Sequence, residues 1–222
     1  MQFHPIPLET WPRREHYQHY LERVPCGYSM TVDLDLTRLL SRLKQRGLRL
    51  YPTLIWALSQ VVNRHPEFRM DRDAQGQPGY YEEVWPTYTV FHPEDETFSA
   101  LWSQYDPDFE TFYRRCVQDM ETYGENRGMQ GRPEPPAHLF NISCLPWQSF
   151  SSFHLELDAK SGYLLPIFTI GRYRRQGEQV LLPLAVQVHH AACDGFHTCR
   201  LVQELQQCLD GLLADSEPDV LQ

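Results

Sequence analysis

From Tyr28 onward the chain alternates. Met30, Val32, Leu34 and Leu36 fall on one side, and Thr31, Asp33 and Asp35 on the other. That period of two predicts a strand with one wet face. Directly after it, "TRLLSRLKQRG" switches to helical spacing, with Thr37 expected as N-cap and Gly47 just past the end. A second helix is expected through "YPTLIWALSQVVNRHP", where Leu54, Ile55, Leu58, Val61 and Val62 share a face and Pro52 sits near the start. "GYYEEVWPTYTVFH" and "FSALWSQ" read as strands, rich in aromatic and β-branched residues.

A third helix is expected in "DPDFETFYRRCVQDMETYGEN", opened by Asp106 and Pro107, with Phe109, Phe112, Tyr113, Cys116 and Met120 as its stripe. "NRGMQGRPEPPAH" is a loop by its Gly and Pro content. Beyond it come "LFNISCLPW" and "SFSSFHLEL", then a long hairpin. Tyr163 to Arg174 is expected to pair with Val180 to His189 around "RQGEQ", where Gly177 supplies the turn. A final helix, "FHTCRLVQELQQCLDGLL", is expected to bury Phe196, Cys199, Val202, Leu205 and Leu209, and the acidic tail over 214–222 to fray. Strands and helices intermingle without strict βαβ alternation. The fold class that follows is α/β: one two-layer domain over 1–213, its mixed, mostly antiparallel sheet flanked by helices.

Composition narrows the partners. The 222 residues carry a formal charge of −9, a field that repels nucleic-acid backbones, although Arg172, Arg174 and Arg175 remain a local basic cluster for a small anion. No stretch approaches the ~20 apolar residues of a membrane span, and the proline- and charge-broken N-terminus has no signal-peptide core. A cytoplasmic location is the expectation. The six cysteines show no CxxC spacing and read as reduced core residues.

Candidate chemistry gathers in "VQVHHAACDGFH", Val186 to His197. An alternating apolar run ends there in two histidines, which, as neighbours on a strand, face opposite sides of the sheet. Only one of them can face a given cavity. Three readings arise: a base displayed at the strand end, a buried structural histidine, or a metal site from His189, His190, Cys193 and His197. The metal ligands converge only if the segment is already helical at His190, against the strand that precedes it. Cys193 as a nucleophile is a further alternative. Gly195 permits a close turn or a close backbone approach, and Asp194 suits a helix cap or a cation partner.

His190 and Asp194-Gly195 also fit HxxxDG, which resembles the signature of CoA-dependent acyltransferases, including dihydrolipoyl acyltransferase cores and peptide-synthetase condensation domains. "WPRREHY", "PCGYSMTVDLD", "LYPTLIWALSQVVNRHPEFRM", "YTVFHPEDETFSALWSQY", "NISCLPWQSF" and "LPLAVQVHHAACDGFH" run in order from Trp11 to His197. Together they closely resemble chloramphenicol acetyltransferase of the non-hexapeptide type, nearly end to end.

That resemblance implies a homotrimer with active sites between subunits, taking acetyl-CoA and chloramphenicol and needing no metal. His190 would be the base acting on the drug's 3-hydroxyl, and an unperturbed imidazole, pKa ~6.5, is already mostly neutral at pH 7. Ser143 would donate to the oxyanion, and Thr169 would hold an ordered water. Asp194 would pair with Arg13, or alternatively Arg14, to shape the loop. Tyr20, Cys26, Phe98, Phe153 and Leu155 would line the acceptor pocket, and Arg49, Tyr51, Arg172 and Tyr173 would contact CoA. His19, Leu165 and "LELDAKSGYLL" depart from the family pattern, which bears on acceptor preference. An acyltransferase with another alcohol or amine acceptor, and a non-catalytic protein that sequesters the drug, are the alternative functions.

Overall fold

The computed structural model describes residues 1–214; residues 215–222, most of the expected frayed tail, lie outside the described residues. The chain opens with β1 (Phe3–Pro5), α1 (Arg14–Gln18), a π-helical turn (His19–Arg23), β2 (Gly27–Asp35), α2 (Thr37–Arg46) and α3 (Leu50–Val62). A 3₁₀ turn (Pro66–Arg69), β3 (Met70–Arg72), β4 (Pro78–Tyr81), β5 (Trp85–His92), β6 (Thr97–Trp102) and α4 (Phe109–Tyr123) follow. It ends with β7 (Leu139–Leu145), β8 (Ile167–Gly171), β9 (Arg174–Gln176), β10 (Gln179–His189) and α5 (Gly195–Gly211).

The main sheet runs β2-β10-β8-β7-β5-β6, with β9 also on β10, and β1-β4-β3 form a small second sheet. In the main sheet only β5–β7 and β7–β8 are parallel; the other pairings are antiparallel. The sheet is therefore mixed and mostly antiparallel, as its alternating strands and short connections predict.

Register sorts the side chains into two faces. Leu34, Leu182, Leu184, Val186, Val188, Phe168, Ile170, Phe140, Ile142, Tyr88 and Leu101 are all buried and share the face covered by α3, α4 and α5. The other face carries Ser29, Thr31, Gln187, Thr169, Ser143, Asn141, Thr87 and Phe98. Helix α5 is held by Leu201, Leu205 and Leu209, each worth roughly 1.5–3 kcal/mol when buried.

The structure corrects several local expectations. Thr37 is not the cap of α2 but its first residue; its N–H and hydroxyl both donate to Asp35 Oδ1, at 2.9 and 2.5 Å. "GYYEEVWPTYTVFH" is two strands, β4 and β5, broken at Glu82–Val84 and assigned to different sheets. Helix α4 is capped by Asp108, whose side chain accepts from Thr111 N–H, rather than opened at Asp106. The face of α5 is turned toward Thr198 and Leu201, leaving Phe196 (69 % exposed) and Cys199 outside. Residues 149–157 form no strand. Their backbone bonds to side chains instead: Phe153 N–H donates to Thr31 Oγ1 and Leu155 N–H to Gln187 Oε1.

Candidate active site

Strand β10 delivers both histidines to the same end of the sheet and aims them apart. His189 shares the odd-numbered face with Ala185 and Gln187, and both its nitrogens are occupied: Nδ1 accepts from Ala191 N–H at 3.1 Å, and Nε2 donates to the Ala159 carbonyl at 3.1 Å. Burial lowers its pKa below the ordinary histidine value. It is a neutral clamp on the Ala159–Ser161 turn, with no lone pair left for a metal.

His190 is different. Its N–H donates to Cys26 O at 2.9 Å, continuing the β2–β10 ladder one step. Its ring stacks on Tyr20, centroids 3.8 Å apart and 3° from parallel, and meets Tyr28 at 5.3 Å and 69°. Tyr20 reaches it from the π-helical turn, a widened helical geometry frequent at functional sites. Among the described residues nothing hydrogen-bonds His190 Nδ1.

The loop after His190 is fixed by Asp194. Arg13 Nη1 donates to Asp194 Oδ2 at 2.6 Å; Arg13, not Arg14, is the partner. Oδ1 accepts from Phe196 N–H at 3.1 Å and lies 2.8 Å from His197 Nδ1, which also lies 3.1 Å from Asp194 N–H. Burial pushes the Asp194 carboxyl up, but the Arg13 hydrogen bond and the charges of His197 and Arg13 outweigh it and hold its pKa below the usual value. Gly195 is the first residue of α5, and a Cβ there would meet open space, so no close approach within this chain requires it. Cys193 is fully buried, its thiol donates to the Glu67 carbonyl, and burial pushes its pKa well up. That environment opposes the nucleophile reading.

Ser143 belongs to another part of the sheet. Parallel pairing sets it beside Thr169, which in turn faces Ala185 across β8–β10. All three point away from the helices. Ser143 opens onto a groove of about 470 Å³ with Tyr51, Thr89, Val90, Phe91, Phe98, Met120 and the Cys144–Trp147 segment. Phe91 packs edge-on to Trp147 at 4.6 Å, so two exposed aromatics missed in the sequence form its rim. Tyr51 donates to the Thr89 carbonyl at 3.3 Å, and burial pushes its phenol far up.

His190 and Ser143 do not meet within one chain. Ser143 is two strands from Ala185, and His190 is five residues beyond Ala185, which separates their Cα atoms by roughly 19 Å. They also lie on opposite faces.

The remaining candidates divide. Phe153 and Leu155 lie over Thr31 and Gln187, apart from the Ser143 groove. Cys26 meets His190 through its backbone. The Arg49 guanidinium is exposed and 3.3 Å from Glu121. Arg172 is exposed, and its N–H donates to Gln148 O, next to Trp147. Tyr173 lines a separate groove with Leu48, Leu50, Lys44 and Arg175. His19 is exposed and edge-on to Tyr20, and Leu165 is buried beside a small cavity shared with Tyr163 and His189.

A family model described as chloramphenicol acetyltransferase matches residues 1–206. The chain belongs to the chloramphenicol acetyltransferase family. It is an acyltransferase. The chloramphenicol acetyltransferase of Vibrio anguillarum is 48% identical over 212 residues, 96% of each chain. That of Campylobacter coli is 46% identical over 210 residues, 95% of this chain and all of that one. A solved chloramphenicol acetyltransferase superposes with a TM-score of 0.82 at 21% identity, over 94% of this chain and 100% of that one. The fold extends further: a probable dihydrolipoamide acetyltransferase from Listeria monocytogenes 4b F2365 matches with a TM-score of 0.65 at 13% identity, covering 96% of this chain and 97% of the other. No described helix is long and apolar enough to cross a membrane.

Proposed function

We propose that this enzyme transfers the acetyl group of acetyl-CoA to the 3-hydroxyl of chloramphenicol, disarming the antibiotic. The observation that carries the reading is the nearly end-to-end similarity, at 46–48% identity, to relatives named chloramphenicol acetyltransferase. Nε2 of His190 takes the hydroxyl proton as the oxygen attacks the thioester carbonyl, in a ternary complex without an acyl-enzyme. The carbonyl oxygen becomes an oxyanion and accepts a hydrogen bond from the Ser143 hydroxyl. Collapse expels the CoA thiolate, and the imidazolium proton goes to that sulfur, which balances the cycle.

Tyr20, flat against His190, suits an imidazolium, since an aromatic face attracts a cation. Asp194 and Arg13 shape the loop, and Thr169, beside Ser143, holds a water near the reacting carbonyl. Phe98 on the groove, with Cys26, Phe153 and Leu155, gives the acceptor apolar walls. Tyr51 and Tyr173 take the CoA chain, with Arg49 and Arg172 near its phosphates.

The roughly 19 Å between His190 and Ser143 supports a site drawn from two copies: His190 of one subunit faces the Ser143 groove of the next, in a cyclic homotrimer. The reaction consumes acetyl-CoA, a cytoplasmic metabolite, and we assign it to that compartment.

Thiol release from acetyl-CoA, with product mass, tests the reading. Chloramphenicol-dependent release and a singly acetylated drug are expected. Release only with another alcohol or amine would move the substrate; drug binding with no release from any acceptor would overturn the enzymatic reading.

A further inference from the structure

The rotation of the His190 ring is not set by a hydrogen bond. In a catalytic triad a carboxylate on the second ring nitrogen does that work. Here Nδ1 has no partner among the described residues, and the Asp194 carboxylate is occupied by Arg13, His197 and the Phe196 N–H. Two phenol rings border the imidazole instead, Tyr20 on its flat side and Tyr28 at 69° to it. Tyr28 is brought there by register: it faces Val188, two residues before His190, on the same side of the sheet.

Tyr28 is itself anchored at its far end. Its Oη lies 2.6 Å from Oγ1 of Thr198, a fully buried residue in the first turn of α5. The Thr198 hydroxyl donates in turn to the Asp194 carbonyl at 3.4 Å. Its oxygen is then left to accept, and the phenol donates. Burial pushes the Tyr28 phenol to about 12, so that proton stays in place at any working pH.

We propose that Tyr28, held by Thr198, is a positioning residue that fixes the His190 ring and ties it to the capped end of α5. The proposal rests on the reading of His190 as the base. A base must stand within about 2.6–3.2 Å of the proton it takes, and small misplacements are costly. Removing the anchor while keeping the ring loosens His190 without deleting any group that touches substrate.

The test compares Tyr28→Phe, Thr198→Val, the double variant and Thr198→Ser in steady-state kinetics with chloramphenicol and acetyl-CoA, beside His190→Ala. Each single hydroxyl deletion is expected to lower kcat by about 3- to 10-fold, with both KM values within about twofold of wild type. The double variant should be no slower than the slower single one, because the two groups make one bond. Thr198→Ser, which keeps the acceptor oxygen, should recover most of the loss. Unchanged kcat in both single variants, even with a lower Tm, overturns the proposal, as do additive losses or losses confined to KM. Wild-type turnover in His190→Ala would instead overturn the underlying assignment of the base.

Discussion

His190→Ala and Ser143→Ala, each expected to be nearly inactive alone, become informative when their subunits are mixed. Within a chain the two positions are separated by two strands and five residues, roughly 19 Å, and by the thickness of the sheet. In the proposed mechanism proton removal and oxyanion stabilisation act on atoms about 3 Å from each group, so that mechanism requires the two to come from different copies. In an oligomer assembled at random from equal amounts, a given interface holds an intact His190 with probability one half. The facing copy holds an intact Ser143 with the same probability. About one quarter of all sites are then complete, and in a cyclic trimer that carries both variants one site in three is, so about one third of wild-type activity should return in the mixed oligomers. The assay is chloramphenicol-dependent thiol release from oligomers carrying two affinity tags, purified through both. Activity no higher than that of the separate variants, in oligomers proven mixed, would refute a site built between copies.

Ser143→Ala is expected to lower kcat by ~100-fold or more with little change in either KM, as loss of one oxyanion donor does; a loss below about threefold would remove Ser143 from the chemistry. Asp194→Asn takes the charge from the partner of Arg13, whose Nε and Nη2 lack partners among the described residues, and should lower both Tm and kcat; an unchanged Tm would contradict a structural ion pair. Burial depresses the pKa of His138 and His189, so below about pH 6.5 the unfolded chain binds protons that the folded chain refuses. Stability should therefore fall as the pH drops from about 6.5 until the folded-state values are passed, and His189→Gln should flatten that slope; a parallel slope would mean His189 is not held neutral.

Patterns within a single element were legible in the sequence, and those depending on a distant partner were not. The alternation of β2, the helices α2 and α3 and the Gly177 turn, with φ of +61°, are local and appear where expected, although α3 is buried nearly all round rather than along one stripe. Strand alternation alone places His189 and His190 on opposite faces. The break between β4 and β5 was hidden because Glu82–Val84 continues a run of strand-forming types while its backbone turns to another sheet. The face of α5 was misread because Thr198 looks polar, yet it is buried by its bond to Tyr28. Tyr28, Phe91 and Trp147 carried no signal of their own; their place at the site comes from the register of strands far apart in sequence. The resemblance supplied residue roles, but not that Tyr173 and Tyr51 line different grooves.

The central claim is that His190 acts as the base on a bound acceptor. It is tested most directly by measuring chloramphenicol binding by calorimetry and turnover by thiol release on the same preparation of His190→Ala. The account predicts drug affinity within a few-fold of wild type and kcat lower by about 10²–10⁴-fold. Turnover near the wild-type rate, or loss of binding in proportion to loss of turnover, would contradict it.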